Sequence, residues 1–412
     1  MRGLKEAVRA RLDARLNPDS RAPLAVALSG GSDSLALTMM AAAWAERHHR
    51  RLLVLTVDHG LRPESAGWTE LCAGHARRLG ADFQAFCWRG DKPLTGPAAA
   101  ARAARHALLA DAARQAGASV ILMGHTADDL AESAAMRAAG ATTPDAREWS
   151  PSPVWPQGRG VFLLRPLLDQ GRAVLRAWLA AQGETWIEDP ANSDLRFARA
   201  RARAAGPSAA ATPRQAPDLR SLGRAVTETL DGGLTLPRQA LRMAPPDAAR
   251  AFVAACALSA AGTSSPPRGD RLDRLTDQLR GAAPMVATLA GARIEADGET
   301  LAWRREPGEF RRGQSPVLRL APAETGVWDG RFEITANHAL EIAPLVGRTA
   351  SLAEPSARAL RQVTASARGA LPALKTAAGL VCPLLQPTPG VKMRALALAR
   401  LQAACGLVVR EP

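Results

Sequence analysis

Several residue types are scarce in this sequence of 412 residues, and their scarcity argues against whole classes of protein. It contains no tyrosine and five cysteines, none of which forms a CxxC pair or has zinc-finger spacing. We therefore expect reduced, packed thiols rather than a disulfide framework. No apolar run approaches the length of a membrane span. Segment 1–16 has helical spacing without a continuous apolar stretch, which favours a first helix over a secretory signal and predicts a cytoplasmic protein.

The charge is strongly one-sided. Lysine and arginine together number 53 against 39 acidic residues, so the formal net charge is +14. Nearly all of the basic residues are arginines, whose planar fork matches phosphates and base edges. A genome rich in G and C would also replace lysine by arginine, but that replacement explains the ratio and not the excess. The charge therefore favours a polyanionic partner such as nucleic acid.

Three continuous apolar runs, 24–28, 52–57 and 119–123, are each followed directly by a polar motif. Runs without alternation suit strands that are buried on both faces of a parallel sheet. The segments between them are rich in Ala, Arg and Leu and are long enough for crossover helices. We therefore predict an open, mainly parallel, twisted α/β sheet with flanking helices, similar to a Rossmann fold. In such sheets, ligands bind beyond the carboxyl ends of the strands.

Composition also suggests how the chain is divided. The segment 206–217 is rich in Ala and Pro and is predicted to be a linker. It would separate a catalytic domain, 1–205, from a mostly helical domain, 218–312, and a small α+β domain, 313–412. Within the second of these, 286–304 is expected to form a hairpin.

The first polar motif, SGGSDS, is a glycine turn between a buried strand and an apolar helix. Glycines let the backbone approach a phosphate, and the free N–H groups at the helix start would bind it. The motif lacks the GKS or GKT of a Walker A loop. Asp33 would repel a phosphate unless Mg²⁺ lay between them, and the alternative is that it only caps the helix. The predicted phosphate-binding residues are Ser29, Gly30, Gly31, Ser32, Asp33 and Ser34.

The third apolar run leads into GHTADDLAES, which begins at Gly124. On a continuous helix His125, Asp128 or Asp129, and Glu132 would share one face. Carboxylates so close together need a cation, and either Mg²⁺ or a lysine ammonium would serve. The alternative is an acidic first helical turn that is favoured by the helix dipole.

Two further motifs give weaker evidence for a function when each is taken alone. The second apolar run ends in VDHGLR, where His59 is as easily structural as functional. In ARAARH, Arg102 and Arg105 lie at i and i+3 on one helix face and could hold phosphates. Without their context, both arginines would more often belong to a solvated face.

Taken together, these motifs resemble those of the tRNA(Ile)-lysidine synthetases, a family of N-type ATP pyrophosphatases. SGGSDS is similar to the family PP-loop. VDHGLR, ARAARH, GHTADDLAES, RPLL and WIEDPANSD follow in family order within residues 20–205. The sequence departs from the family at His106, where tyrosine is usual, at Ala200, where asparagine is usual, and in 138–160, where the glycine-rich loop is not recognisable.

The resemblance implies a reaction that uses ATP, Mg²⁺, free lysine and tRNA. The wobble cytidine of an isoleucine tRNA would be adenylated, and the ε-amine of lysine would then displace AMP, so that lysidine, AMP and pyrophosphate are formed. Domain 218–312 would contact tRNA. The residues implied for catalysis are Asp33, Arg105, Asp129 and Glu132. Those implied for Mg²⁺ are Asp33 and Asp129. Those implied for ATP, besides the PP-loop, are Asp58, His59, Gly124 and His125. Those implied for tRNA or phosphate are Arg102, Arg165, Arg199 and Arg203.

Three other functions fit the same motifs. A PP-loop tRNA thiolase would use the same nucleotide chemistry but commonly carries paired cysteines, which this sequence lacks. A synthetase for a small molecule does not explain the basic excess, and the sequence has no candidate glutaminase domain. A nucleotide-binding module without catalysis does not explain the acidic residues of the helix.

Overall fold

The computed structural model describes residues 2–60, 64–89, 96–141, 146–190, 198–204, 216–313, 315–376 and 379–412. The chain divides into two compact units. Unit 1 consists of Met1–Ala216 and the last five residues, Val408–Pro412, and unit 2 is Pro217–Leu407. Most of the predicted linker lies outside the described residues, as do Leu61 and Arg62 of VDHGLR, part of WIEDPANSD and residues 142–145. The separation of 218–312 from 313–412 stays a prediction.

Unit 1 alternates strands and helices. Its helices are α1 (Arg2–Arg15), α2 (Ser32–Arg47), α3 (Ser65–Arg78), α4 (Pro97–Gln115), α5 (Ala127–Ala138), α6 (Arg172–Ala180) and α7 (Ala198–Ala204). Its strands are β1 (Leu24–Ala27), β2 (Leu52–Asp58), β3 (Asp82–Cys87), β4 (Val120–Leu122), β5 (Trp149–Pro151) and β6 (Phe162–Leu164). In the described part of this unit, six strands form one sheet in the order β3-β2-β1-β4-β6-β5.

The sheet has the predicted parallel form. The pairs β2–β3, β1–β2, β1–β4 and β4–β6 are parallel, and only the edge strand β5 runs antiparallel to its neighbour. Strands β1, β2 and β4 are buried because their apolar runs are covered by helices on both faces. The chain extends the sheet first from β1 toward β3 and then from β1 toward β6. This reversal places a crevice at the carboxyl ends of β1 and β4, where such sheets bind ligands.

The last five residues of the chain belong to unit 1. The Arg50 guanidinium donates to both carboxylate oxygens of Glu411 over 2.8 Å, and both side chains are only 1% exposed. The Asn17 N–H donates to the same carboxylate over 2.8 Å, and Trp149 Nε1 donates to the Val408 carbonyl over 2.7 Å. This segment therefore joins the end of α1 to the loop before β2 and to edge strand β5.

Unit 2 contains three sheets. Its helices are α8 (Arg220–Arg224), α9 (Arg238–Met243), α10 (Pro246–Ala261), α11 (Gly269–Arg280), α12 (Gly308–Arg312), α13 (Glu354–Leu360), α14 (Ala365–Arg368) and α15 (Ala397–Ala404). Its strands are β7 (Thr227–Glu228), β8 (Leu234–Pro237), β9 (Met285–Leu289), β10 (Ala292–Ala296), β11 (Thr300–Arg305), β12 (Leu318–Leu320), β13 (Thr325–Trp328), β14 (Phe332–Ala336), β15 (Leu340–Pro344), β16 (Pro372–Thr376), β17 (Gly379–Val381) and β18 (Val391–Ala395). As described, the sheets run β7-β8-β11-β10-β9, β12-β15-β16-β17 and β13-β14-β18.

Residues 218–312, which are predicted to be mostly helical, also contain a β-sheet. Helices α10 and α11 pack against a five-stranded sheet, and their shared core includes Phe252, Leu279 and Trp303. The expected hairpin is present as β10 and β11, but β9 and the short β7–β8 hairpin extend it. In the described ranges, no helix combines the length and the apolar character needed to cross a membrane.

Candidate active site

The glycine turn lies between β1 and α2, as the sequence predicts. The first backbone hydrogen bond of α2 runs from Leu35 N to the Gly31 carbonyl over 3.0 Å. The N–H groups of residues 32–34 therefore precede the bonded part of the helix and are available to an anion. The Ser34 hydroxyl donates to the Gly31 carbonyl over 3.0 Å and accepts from Ser29 N over 3.2 Å. These two hydrogen bonds fix the conformation of the turn between Ser29 and Ser34.

The backbone conformation at position 30 requires glycine, and a Cβ there would also displace the end of the Ile187 side chain. Its φ of +83° is one that residues with a Cβ rarely adopt. A Cβ at this position would lie 2.2 Å from Cδ1 of Ile187. The Ile187 N–H also donates to the Gly30 carbonyl over 2.9 Å. The WIEDP segment therefore contacts the phosphate loop directly.

Gly124 brings the end of β4 against the start of α2. A Cβ on this residue would lie 2.9 Å from Cα and 3.0 Å from N of Ser34. Both atoms are backbone and cannot move aside as a side chain does. This close approach places the motif that begins at Gly124 beside the phosphate loop.

Three carboxylates converge on one arginine that the sequence analysis missed. Arg172 Nε donates to Asp33 Oδ2 over 2.9 Å, and Nη1 donates to Glu132 Oε1 over 3.2 Å. Its Nη2 lies 3.7 Å from Asp129 Oδ1. Arg203 Nε also donates to Glu132 Oε1, over 2.8 Å. The cation that the carboxylates require is thus supplied within the protein by guanidinium groups.

The carboxylates of this cluster are largely buried. Burial raises the pKa of Asp33, while the hydrogen bond and the charge of Arg172 oppose that shift. Glu132 is only 5% exposed. Burying a carboxylate to this degree costs free energy unless a cation lies close by.

The expectation that His125 and the carboxylates share one helix face is wrong. Helix α5 begins at Ala127, because Thr126 is its N-cap residue. Thr126 N donates to Asp129 Oδ2 over 2.8 Å, which is one half of a capping box. His125 precedes the helix and accepts from Arg165 Nε at its Nδ1 over 3.2 Å. Asp129 therefore caps the helix and faces Arg172 at the same time.

His125 belongs to a second cluster, which is basic. Arg165 is buried and donates to the Arg147 carbonyl over 2.7 Å. Burial, together with the charges of Arg102 and Arg105, lowers the pKa of Arg165 to about 10. Because these arginines repel one another, the cluster is suited to a phosphate group.

His106 stands in this basic cluster, where the family usually has tyrosine. Burial, reinforced by the charges of Arg105 and Arg102, lowers its pKa to about 2. The ring is therefore neutral near pH 7 and adds no charge to the cluster.

The remaining predicted residues are placed as follows. Asp58 is the last residue of β2, and its Oδ1 accepts from Gly60 N over 2.7 Å. The ring of His59 meets that of Trp88 edge-on at 6.4 Å. Arg199 lies in α7, the same short helix as Arg203.

Two residues of the WIEDP segment extend the site beyond what the sequence predicts. Trp186 Nε1 donates to Glu188 over 2.8 Å, and the Arg176 guanidinium lies 5.7 Å from the Trp186 ring centre. Arg176 also donates to Glu188 over 3.0 Å. Arginines 172 and 176 are one turn apart on α6, which is the signal that could have linked both to the site.

The donor set also bears on which metal the site could hold. In the described ranges, no three His, Cys, Asp or Glu side chains form a metal-binding group. Mg²⁺ is usually held by one or two carboxylates together with phosphate oxygens and water. Asp33 and Asp129 supply such a pair beside the phosphate loop, so the residues fit an ion that is shared with a polyphosphate.

The chain is similar to known proteins over nearly its whole length. A family model described as a PP-loop domain matches residues 4–206. A tRNA(Ile)-lysidine synthase of Caulobacter vibrioides is 49% identical over an alignment that covers 98% of each chain. The chain belongs to the tRNA(Ile)-lysidine synthase family. The synthase of Hyphomonas neptunium is 35% identical over 76% of this chain and 89% of its own length. The synthase of Methylobacterium nodulans is 38% identical over 72% of this chain and 94% of its own length.

Membership of the lysidine synthase family confirms two predictions made from the motifs. The fold is the predicted PP-loop α/β sheet with flanking helices, followed by further sheets and helices. The resemblance over residues 20–205 extends at 49% identity to nearly the whole chain. The roles of individual residues remain predictions.

Proposed function

We propose that this protein joins free lysine to the wobble cytidine of an isoleucine tRNA, using ATP and releasing AMP and pyrophosphate. Family membership supports the substrate class. The observation that carries the proposal is the convergence of Asp33, Asp129 and Glu132 beside a loop whose N–H groups suit phosphate. An acidic cluster at that place serves a reaction that brings together a polyphosphate and a cationic amine. Such a reaction would take place in the cytoplasm.

The chemistry requires activation of a poor electrophile. The 2-oxygen of cytosine attacks the α-phosphate of ATP, and pyrophosphate leaves. The ε-amine of lysine, after losing a proton, then attacks C2, and the oxygen departs with AMP. In this proposal, the turn formed by residues 29–34 holds the pyrophosphate.

The carboxylates and arginines take complementary parts. Asp33 and Asp129 would hold Mg²⁺, which supplies charge neutralisation at the phosphates when bound. Glu132 would receive the ammonium of lysine. The basic cluster at Arg102, Arg105 and Arg165 would bind phosphate of ATP or of the tRNA backbone, and Arg199 and Arg203 would contribute from α7. Asp58, His59, Gly124 and His125 would line the nucleotide site.

The direct test is the mass of the tRNA after incubation with ATP, Mg²⁺ and lysine. We expect a gain equal to lysine minus water, together with stoichiometric pyrophosphate. Asp33→Asn should lower turnover by about 100-fold or more, the range found when a preorganised polar contact is removed, with an unchanged melting temperature. An unmodified tRNA, or a folded Asp33→Asn variant with normal turnover, would contradict the proposal.

Family membership favours lysine ligation over the tRNA thiolase that the motifs also fit, and the cysteines provide a further test between the two. Cys72 Sγ lies 4.0 Å from the carbonyl oxygen of Leu28, the residue before the phosphate loop, but Cys72 is fully buried and burial raises the pKa of its thiol. It is therefore a poor nucleophile. Cys87, at the end of β3, is exposed. Cys72→Ser and Cys87→Ser should leave lysine transfer intact, whereas sulfur transfer to tRNA that is lost in either variant would favour the thiolase.

A further inference from the structure

Arg172 occupies an unfavourable place for a cation. It is the first residue of α6, and the dipole of a helix opposes a positive charge in its first turn. Its backbone N–H donates to Asp128 Oδ2 over 2.7 Å, which ties the start of α6 to the first turn of α5. The side chain therefore requires a compensating interaction, and the carboxylates provide it.

The compensating carboxylates come from two different helices. Asp33 lies in the first turn of α2, and Glu132 lies in α5. The guanidinium reaches both with separate nitrogens, and its side chain is only 15% exposed. A planar fork with several donors can bridge two helices in this way, whereas an ammonium acts as a single point charge.

Glu132 differs from Asp33 in its partners. It also accepts from Arg203, whereas the described contacts of the Asp33 carboxylate are with Arg172 and the hydroxyl of Ser32. Among the described contacts, removal of the Arg172 side chain would therefore leave the Asp33 carboxylate with the Ser32 hydroxyl alone, beside a half-buried loop. This carboxylate would then turn toward water.

We propose that Arg172 is a positioning residue for the ligation: it holds Asp33 and Glu132, on separate helices, at one fixed separation beside the phosphate loop. This inference rests on the proposed function. It predicts that Arg172 acts on ATP and lysine through the two carboxylates, so that its loss lowers kcat more than it weakens binding of tRNA.

The experiment compares Arg172→Ala and Arg172→Lys with the wild type in lysine transfer, tRNA binding and melting temperature. Arg51→Ala is the control, since Arg51 pairs with Asp82 on the surface of the same unit. We expect kcat to fall about 10- to 100-fold in Arg172→Ala, as for other residues that orient metal-contacting groups. Arg172→Lys should be intermediate. Methylguanidine should raise kcat of Arg172→Ala and leave the control unchanged.

The outcomes separate the inference from the function it rests on. A wild-type chain that fails to transfer lysine overturns the proposed function itself. An active wild type with a folded Arg172→Ala of normal kcat, or one that methylguanidine does not restore, overturns the role of Arg172 alone. If Arg172→Ala does not fold, the kcat of Arg172→Lys tests the role of Arg172. A reduced kcat supports the bridging role, and a kcat equal to that of the wild type refutes it, because a single ammonium would then suffice.

Discussion

Replacing Glu411 by alanine tests whether the last five residues are an integral part of the catalytic unit. The substitution leaves Arg50 buried without its carboxylate and removes three hydrogen bonds of 2.8 Å, two from Arg50 and one from Asn17 N. Breaking a buried ion pair by removing one partner typically costs about 3–5 kcal/mol. Because a terminal segment can lift away and let water reach Arg50, we expect the lower end, about 3 kcal/mol.

The measurement is calorimetric unfolding of the full-length protein. For a unit of this size, each kcal/mol corresponds to about 2–4 °C, so the melting temperature should fall by about 6–12 °C. The neighbouring pair Arg51–Asp82 provides the matched control. Its contact of 2.7 Å is as short, but its side chains are 73% and 50% exposed. Asp82→Ala should therefore cost less than about 1 kcal/mol.

A double variant that removes both charges completes the test. Arg50→Met combined with Glu411→Leu removes both charges and should recover much of the lost stability, because no buried charge is left unpaired. If Glu411→Ala and Asp82→Ala lowered the melting temperature equally, the terminal segment would not be docked as described. The reasoning from burial would then be refuted.

Three shorter predictions concern the site. Gly124→Ala should lower activity by displacing the start of α2, whereas Gly74→Ala in α3, where a Cβ meets nothing within 4 Å, should be tolerated and raise the melting temperature slightly. Because the pKa of His106 is lowered in the folded protein, only the unfolded chain binds a proton at this residue as the pH falls below 6.5, and the folded state is destabilised. Between pH 7.5 and 5.5, the free energy of unfolding measured in urea should therefore fall by about 1.4 kcal/mol less in His106→Phe than in the wild type. Affinity for tRNA should fall at least about tenfold between 50 and 200 mM salt, and Arg102→Ala should reduce the salt slope by about 1; a flat response would exclude a phosphate contact.

The parts of the fold that could be predicted depend on local sequence. The buried strands β1, β2 and β4 are continuous apolar runs, and the turn after β1 is marked by two glycines before an apolar helical stretch. The strands at 227–237 escaped prediction because they are short, although Asp231-Gly232-Gly233 between them is a typical turn sequence. Docking of Val408–Pro412 has no local signal at all, since Glu411 and Arg50 are 361 residues apart.

The site was predictable in its composition and less so in its geometry. The three carboxylates are expected to need a cation, but no sequence pattern distinguishes a metal from a substrate or an arginine. Arg172 satisfies them only because α6 begins against α5, which is a consequence of tertiary packing. His125 lies outside the helix because Thr126 is the N-cap of α5, so that the helix begins at Ala127, two residues beyond His125.

The arginine excess is only partly a signal for nucleic acid. Arg238 is fully buried, and its guanidinium donates to the carbonyls of Leu279 and Ala283 at and beyond the end of α11 over 3.0 and 2.9 Å. Arg400 likewise donates to carbonyls, those of Leu258 and Thr263, over 2.8 and 2.7 Å. A guanidinium placed there satisfies backbone oxygens that a helix leaves without partners. Such arginines raise the net charge without being available to tRNA, so a scan for tRNA contacts should begin with exposed residues such as Arg102, and loss of binding in an Arg238 variant would report on folding.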